Sequence, residues 1–227
     1  MNSHHQLIAS IEKCTYPATL KAADSGKYLV SNLANARHFG MPNPGDMVGL
    51  TVRDLNFSHP VWGKRFVRET ESIDARVRDQ GAVETEHRSI LVNDAQLRYE
   101  EMVKFPLFGA TKKVIGIVSY TQDLTHSLSH RALYRRYRYF FNKVDAIAKA
   151  MAHLHLDECF TAPLTEVQFL VLLALASGRE TKEIARCFDI SQGRVESHID
   201  ALHDKAANRD LDLARSVIEQ GRVQCAN

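Results

Sequence analysis

The sequence predicts an α+β protein of two unlike halves joined by a long linker helix. Three features carry this expectation: five runs of β-type alternation in the first half, an apolar heptad stripe between residues 133 and 154, and a series of short capped helices near the C-terminus. The 227 residues, formal net charge of +2 and 44% apolar content fit two small soluble domains. The longest apolar run, residues 169–176, is too short to span a bilayer, and no secretory leader opens the chain, so a cytoplasmic protein is expected. Cys14, Cys159, Cys187 and Cys225 are scattered without C-x-x-C or histidines at ligand spacing, which argues against both a disulfide framework and a zinc site.

In the first half, a helical lead over residues 6–13 precedes strands at 18–22 and 28–31, with Asp24-Ser25-Gly26 as the turn. Residues 32–39 read as a helical turn before the Pro42-Asn43-Pro44-Gly45 break. Residues 61–78 carry Trp62, Phe66, Ile73 and Val77 in helical rhythm, and strands follow at 82–91, 97–107 and 113–122. The order predicts a five-stranded antiparallel sheet with helices on one face.

The linker, residues 127–160, is basic and aromatic. Arg131, Arg135, Arg136, Arg138, Lys143 and Lys149 face only Asp145 among the residues from 131 to 150. Leu133, Tyr137, Phe140, Val144, Ile147, Met151 and Leu154 alternate four and three apart, the a/d seam of a helix that would pair two copies in parallel or dock on the preceding domain. His153 and His155, two apart, are wrongly spaced to share a metal on a helix.

In the last quarter, Thr165 and Gln168 form a capping box ahead of Val167, Leu170, Val171 and Ala174 on one helical face, and Gly178 stops that helix. A second helix runs through Lys182-Glu183-Ile184-Ala185-Arg186. Ser191 caps a third, with Val195, Ile199, Leu202 and Ala206 inward and Ser197, Asp200, Ala201 and Asp204 opposite them. Small and polar side chains behind a tight turn suit a major-groove reader, and they suit the solvated face of a three-helix core equally well.

Leu164-Thr165, Gly178, Lys182-Glu183-Ile184-Ala185, Ile190-Ser191, Val195-Glu196-Ser197-His198-Ile199 and Lys205 together resemble the LuxR-type DNA-binding domain, over residues 161–227. The resemblance implies a four-helix domain with a recognition helix starting at Ser191, a phosphate contact at Lys182, and a fourth helix near 211–220 contributing to dimer contact. The expected DNA-binding residues are Lys182, Ser191, Arg194, Glu196, Ser197, His198, Asp200 and Lys205. Gln168, Glu180, Arg194 and Ala206 depart from the family pattern; Thr181 is expected to take over capping from Glu180. The basic residues Arg179, Lys182, Arg186, Arg194, Lys205, Arg209, Arg215 and Arg222 are outnumbered by ten acids between residues 166 and 219. Each neutralised phosphate needs a cation, so a lone domain should bind duplex DNA weakly.

Gly49-Leu50-Thr51-Val52-Arg53-Asp54-Leu55, Lys104-Phe105-Pro106-Leu107, and above all Gly116 followed by an apolar strand and Asp123-Leu124-Thr125, make residues 15–126 similar to a PAS domain. That resemblance implies a sensory or dimerisation module around a small pocket, without naming a ligand. No flavin-type cysteine motif is present. A haem would need an axial histidine such as His59 or His87, but a lone histidine is more often a surface or hydrogen-bonded residue. A small organic ligand, or none, is therefore expected. Phosphate loops, metal-ligand helices and nucleophile elbows are missing from the sequence, so an enzyme is not expected. The reading is a homodimeric bacterial transcription regulator that binds double-stranded DNA. The alternative is a PAS-based interaction or dimerisation module without productive DNA binding.

Overall fold

The computed structural model describes residues 3–57, 59–91, 96–207 and 210–224. Cys225 and Arg209 lie outside them. The chain divides into two compact units, Met1–Thr125 and His126–Asn227. The first contains α1 (Ser3–Lys13), β1 (Ala18–Ala22), β2 (Tyr28–Ser31), α2 (Leu33–His38), α3 (Pro60–Gln80), β3 (Glu84–Leu91), β4 (Leu97–Phe108) and β5 (Val114–Asp123). The sheet order is β2-β1-β5-β4-β3, antiparallel at every pairing. All five expected strands form, each within two residues of the expected bounds.

Local chemistry explains these elements. Gly26 takes the left-handed conformation, φ +67°, that the turn between β1 and β2 needs. Buried Asn32 caps α2 and uses its whole amide: Oδ1 accepts from the N–H of Asn35 (2.9 Å) and of Ala18 (3.1 Å), while Nδ2 donates to the carbonyls of Cys14 (2.8 Å) and Tyr16 (2.7 Å). One side chain thus fixes the start of β1 against the start of α2. The long helix α3 opens with Pro60 behind the His59 cap and closes at Gly81, φ +63°.

Strand alternation then sorts side chains between two cores. Ile73 and Val77 of α3 pack with Met102, Val114 and Ile117 on one sheet face. On the other face, Ile11 of α1 packs with Ala18, Leu20 and Val118. The expectation of helices on a single face is therefore corrected: α1 covers the opposite side, because Ala18 and Leu20 would otherwise leave apolar surface in water.

The second unit contains α4 (His130–Phe140), α5 (Lys143–His153), α6 (Glu166–Leu175), α7 (Thr181–Phe188), α8 (Gln192–Lys205) and α9 (Leu211–Gln224). The expected long linker helix is instead a helical hairpin. Phe141 is extended (φ −124°, ψ 156°), and Asn142 starts a new helix by accepting from the Asp145 N–H at 3.1 Å. An asparagine that bonds local backbone offers the chain an alternative to continuing a helix. The Tyr137 hydroxyl meets His153 Nδ1 at 2.9 Å, and Lys149 lies over the Phe141 ring, so α4 and α5 fold back on each other.

This breaks the expected continuous seam. Leu133 and Tyr137 from α4, and Ile147 and Met151 from α5, are buried within the unit; Phe140 and Leu154 are half-buried, and Val144 is 71% exposed. The hairpin is pinned to α6 by Glu166. Its carboxylate accepts from the Tyr134 hydroxyl (2.7 Å), pairs with Lys143 (2.8 Å) and lies 3.8 Å from Arg138, while the Tyr134 ring packs edge-on against Phe169. These partners, led by Lys143 and Tyr134, hold the Glu166 carboxyl below its ordinary pKa.

The split seam has a measurable consequence. Ile147→Glu should destabilise the second unit by roughly 3 kcal/mol or more, because it buries a charge, whereas Val144→Glu should stay within about 0.5 kcal/mol of wild type. Helical circular dichroism during denaturation reports both units and Trp62 fluorescence the first alone, so an earlier loss of helical signal with the Trp62 transition unmoved reads the second unit. Equal losses for the two variants would contradict this packing.

Candidate nucleic-acid interface and sensor interior

The helix-turn-helix is built from α6, α7 and α8. At its start the capping box forms as expected: Gln168 N–H donates to Thr165 Oγ1 at 3.3 Å, and Thr165 N–H donates to Gln168 Oε1 at 2.9 Å. The expected apolar face of α6 is displaced. Val167 is exposed and Leu170 and Ala174 are half-buried, while Phe169, Val171, Leu172 and Leu173 are buried, since this helix is covered on most of its circumference. Gly178 follows in the left-handed region, φ +74°. Thr181 is the first residue of α7 and not its cap; Glu180 occupies that position, its N–H donating to the Glu183 carboxylate at 3.2 Å. Asp189, φ +53°, turns the chain toward α8, whose N-cap Ser191 accepts from the Arg194 N–H at 3.3 Å.

Val195, Leu202 and Ala206 anchor the recognition-type helix α8 in the core, and Ile199 is half-buried beside them. Its opposite face presents Ser197, Asp200 and Asp204, with Arg194 and Glu196 exposed alongside and His198 half-buried. Ser197 Oγ donates to the Gly193 carbonyl at 3.0 Å, and Glu196 accepts from Gln192 Nε2 at 3.2 Å. Sequence reasoning passed over Gly193, which lies on the outward face in the first turn. A Cβ there would meet nothing within 4 Å, so the backbone itself is open to close approach. Lys182 is exposed in the first turn of α7.

Lys205 behaves differently from the other expected contact residues. Its ammonium donates to the Pro163 carbonyl at 2.7 Å and to Gln168 Oε1 at 2.9 Å, while its own carbonyl accepts from Thr161 N–H at 2.8 Å. It closes the domain on itself. Leu211, Ala214 and Ile218 bury one side of α9 against the rest, leaving Leu213 half exposed.

The interior of the first unit is unusually charged. Lys21 and Lys104, both nearly fully buried, share the Asp74 carboxylate: Lys21 Nζ is 3.0 Å from Oδ2, and Lys104 binds Oδ1. Burial pushes the Lys104 ammonium down, the neighbouring Lys21 charge pushes it further, and Asp74 only partly offsets them, leaving its pKa at about 7. Burial alone would lower Lys21 as well, but Tyr28 and Asp74 beside it raise it above the ordinary value. Asp74 falls below the usual carboxylate range: burial opposes ionisation, and the two lysines outweigh it.

A second cluster adjoins the first. Arg88 Nε donates to Glu100 Oε1 at 2.6 Å while its guanidinium lies over the Phe66 ring, and His38 Nε2 stands 3.5 Å from Glu100 Oε2. Burial lowers the His38 pKa, so the ring is neutral at pH 7. Glu100 Oε2 and His38 Nδ1 lack hydrogen-bond partners among the described residues. His38, Phe66 and Arg88, with Lys21 and Lys104 of the first cluster, line a cavity of about 30 Å³, also walled by Thr19, Asn35, Phe39, Thr70 and Met102, which has room for about one or two waters. Trp62 and Phe66 join Phe39 and Phe57 in an aromatic cluster, with Phe66 forming cavity wall.

Neither histidine considered for haem faces this cavity. His59 Nδ1 accepts from the Trp62 N–H at 3.2 Å, and His87 pairs with Glu101 at 3.1 Å on the half-exposed side of β3. Among the described residues, no cluster of His, Cys, Asp and Glu could hold a metal ion, and no helix is long and apolar enough to cross a membrane.

Residues 162–212, under a quarter of the chain, match the family of bacterial regulatory proteins of the luxR type. The chain thus contains a LuxR-type helix-turn-helix domain. A comparison with curated proteins finds no match. Among solved structures, the chain is similar to the Vibrio cholera VqmA–ligand–DNA complex, at 18% identity over 96% of this chain and 88% of that one, with a TM-score of 0.52. It is also similar to the phage VqmA–DPO complex (21% identity, 95% and 88% coverage, TM-score 0.48) and to the PAS domain of Bordetella pertussis BvgS (19%, 55% and 88%, TM-score 0.44). The first of these, the one above one half, bears on the fold: a PAS-type sheet unit followed by a LuxR-type helical unit.

The shared carboxylate predicts a pH dependence. Lys104 titrates at about 7 in the folded chain against 10.5 unfolded, so between those values the unfolded state binds the extra proton and stability rises with pH. Denaturation followed by Trp62 fluorescence should show the midpoint climbing from pH 7 to pH 9. Lys104→Met should flatten that climb; a slope unchanged in the variant would remove Lys104 as its source.

Proposed function

We propose that this protein is a sequence-specific DNA-binding transcriptional regulator, acting as a homodimer, whose PAS-type unit senses a small molecule or mediates dimerisation. The observation that carries the reading is the outward face of α8. Behind a left-handed turn and over a buried apolar anchor, a helix opens with its capped N-terminus, Arg194 and no acid in its first turn, and exposes small and polar side chains. Such a helix can enter a major groove.

In that groove Arg194 donates to guanine or to phosphate, Glu196 accepts from cytosine N4, and Ser197 and His198 reach base edges or backbone. Lys182 meets a phosphate. Asp200 and Asp204 must lie over the groove centre or pair with a base amino group, because next to phosphates they repel. Lys205 drops out of the contact set, its donors being turned inward. The VqmA complex similar in fold holds both ligand and DNA, which supports the same division of labour here.

For sensing, the buried charges around Asp74 and Glu100 provide donors and acceptors that an apolar core would lack. A cavity of about 30 Å³ does not admit an organic ligand as it stands, so a ligand in that cavity would have to displace its walls, whereas a surface pocket of about 370 Å³ on the same unit, lined by Asp74, Arg53, Glu71 and Arg78, is already open. Mass spectrometry of natively purified protein identifies a co-purifying molecule. The excess of acids over bases in the helix-turn-helix favours a second reading, a PAS-based interaction module that does not hold DNA.

Salt-dependent binding to duplex DNA separates the two. Lys182→Ala should weaken binding about equally on all sequences and reduce the slope of log K against log salt by roughly one unit, whereas Ser197→Arg should change sequence preference. If no duplex from the source genome shifts in a salt-sensitive way, with or without ligand, the interaction reading replaces the regulator.

A further inference from the structure

The helix-turn-helix is short of cations, and α4 carries them. Between residues 130 and 140 this helix has Arg131, Arg135, Arg136 and Arg138 and no acid. Its buried side is formed by His130, Leu133, Tyr134 and Tyr137, so the arginines lie off the core. They divide by task. Arg138 is committed inward, donating to the Phe141 carbonyl at 2.8 Å and lying near Glu166. Arg131 and Arg135, one turn apart, share a face: Arg135 is exposed, and the guanidinium of Arg131 lies 5.6 Å over the ring of Phe188, the last residue of α7 before the turn into α8.

Two independent contacts therefore register α4 against the helix-turn-helix. At one end Arg131 touches the end of α7; at the other, Glu166 at the start of α6 binds Tyr134 and Lys143. The arginine row is carried beside the end of α7, where the chain turns into α8, inside the same compact unit.

We infer that Arg131 and Arg135 form an auxiliary phosphate-contacting surface, engaging the DNA backbone beside the groove that α8 reads. Charge complementarity chooses the occupant. Guanidinium groups bind phosphate diesters through paired N–H donors, and a row of cations without acids has its strongest partner in a regularly charged polyanion. The row supplies charge that α8, with Asp200 and Asp204 on its outward face, lacks. The inference rests on the DNA-binding reading and adds to it the means by which an acidic reading head is held on an anionic duplex.

The test uses the full-length chain and a long mixed-sequence duplex, titrated by fluorescence anisotropy at several salt concentrations. Arg131→Gln with Arg135→Gln removes both charges while keeping the first methylenes and a planar polar end group on each side chain. The double variant should bind more weakly on every sequence, with the slope of log K against log salt reduced by roughly two units, about 0.9 per phosphate contact. Arg131→Lys with Arg135→Lys should keep the wild-type slope, which separates charge from packing. A Gln variant with wild-type slope and affinity overturns the inference while leaving DNA binding through α8 intact. A wild-type chain that binds no duplex at all overturns both. Unchanged helical circular dichroism and melting of the Gln variant tie any loss to the contact surface, and a lost slope accompanied by a lost fold in the Gln pair, but not in Arg135→Gln alone, is resolved by that single variant, for which a reduction of about one unit is expected.

Discussion

The arrangement of the second unit depends on where one carboxylate sits. Glu166 lies in the first turn of α6, where the helix dipole favours a negative charge, and there it gathers a tyrosine hydroxyl and a lysine, with an arginine close by, from the preceding hairpin. Its partners come from both arms: Tyr134 and Arg138 from α4, Lys143 from the start of α5. The hairpin is thereby keyed to the helix-turn-helix and does not trail from it. Each single contact is modest at a partly exposed site, but the Tyr134 ring against Phe169 adds packing to charge, and the combination specifies one geometry.

The first unit solves a different problem. Its sheet places polar strand residues inward, and the helix packed over them answers with Asp74 and Thr70 where an apolar core would carry leucine. Two buried ammonium groups competing for one carboxylate leave the site electrostatically unfinished. Glu100 Oε2 and His38 Nδ1 likewise make no hydrogen bond among the described residues. Buried groups in this condition cost stability unless something completes them, and this core carries that cost around a small void.

Five of the described helices start behind a short polar residue: Asn32, Ser129, Asn142, Thr165 and Ser191 each accept from a backbone N–H that would otherwise lack a partner. That regularity made most elements legible in sequence. Ser191 and Gly178 marked the edges of the helix-turn-helix, and Val195 and Leu202 its inward face. The same signal was available at Asn142, but a heptad of apolar residues ran across it and favoured one long helix. In the folded chain the cap prevails, and with the chain doubled back Leu133, Tyr137, Ile147 and Met151 are all buried within a single molecule.

The sequence by itself determined the element order, the two dissimilar halves and the helix-turn-helix face, since caps, alternation and left-handed glycines act over a few residues and can be read locally. Tertiary structure alone decided which side of each pattern is buried and what meets it there. Alternation in β1 shows that Thr19 and Lys21 share a face, but not that Lys21 turns inward to meet Asp74, 53 residues away. Lys205 reads as one more cation on a DNA-binding helix until Pro163 and Gln168, brought to it by the packing of α6 on α8, claim its ammonium. Such partners are set by three-dimensional closure, and a linear pattern carries no record of the distance between residues that the fold makes neighbours.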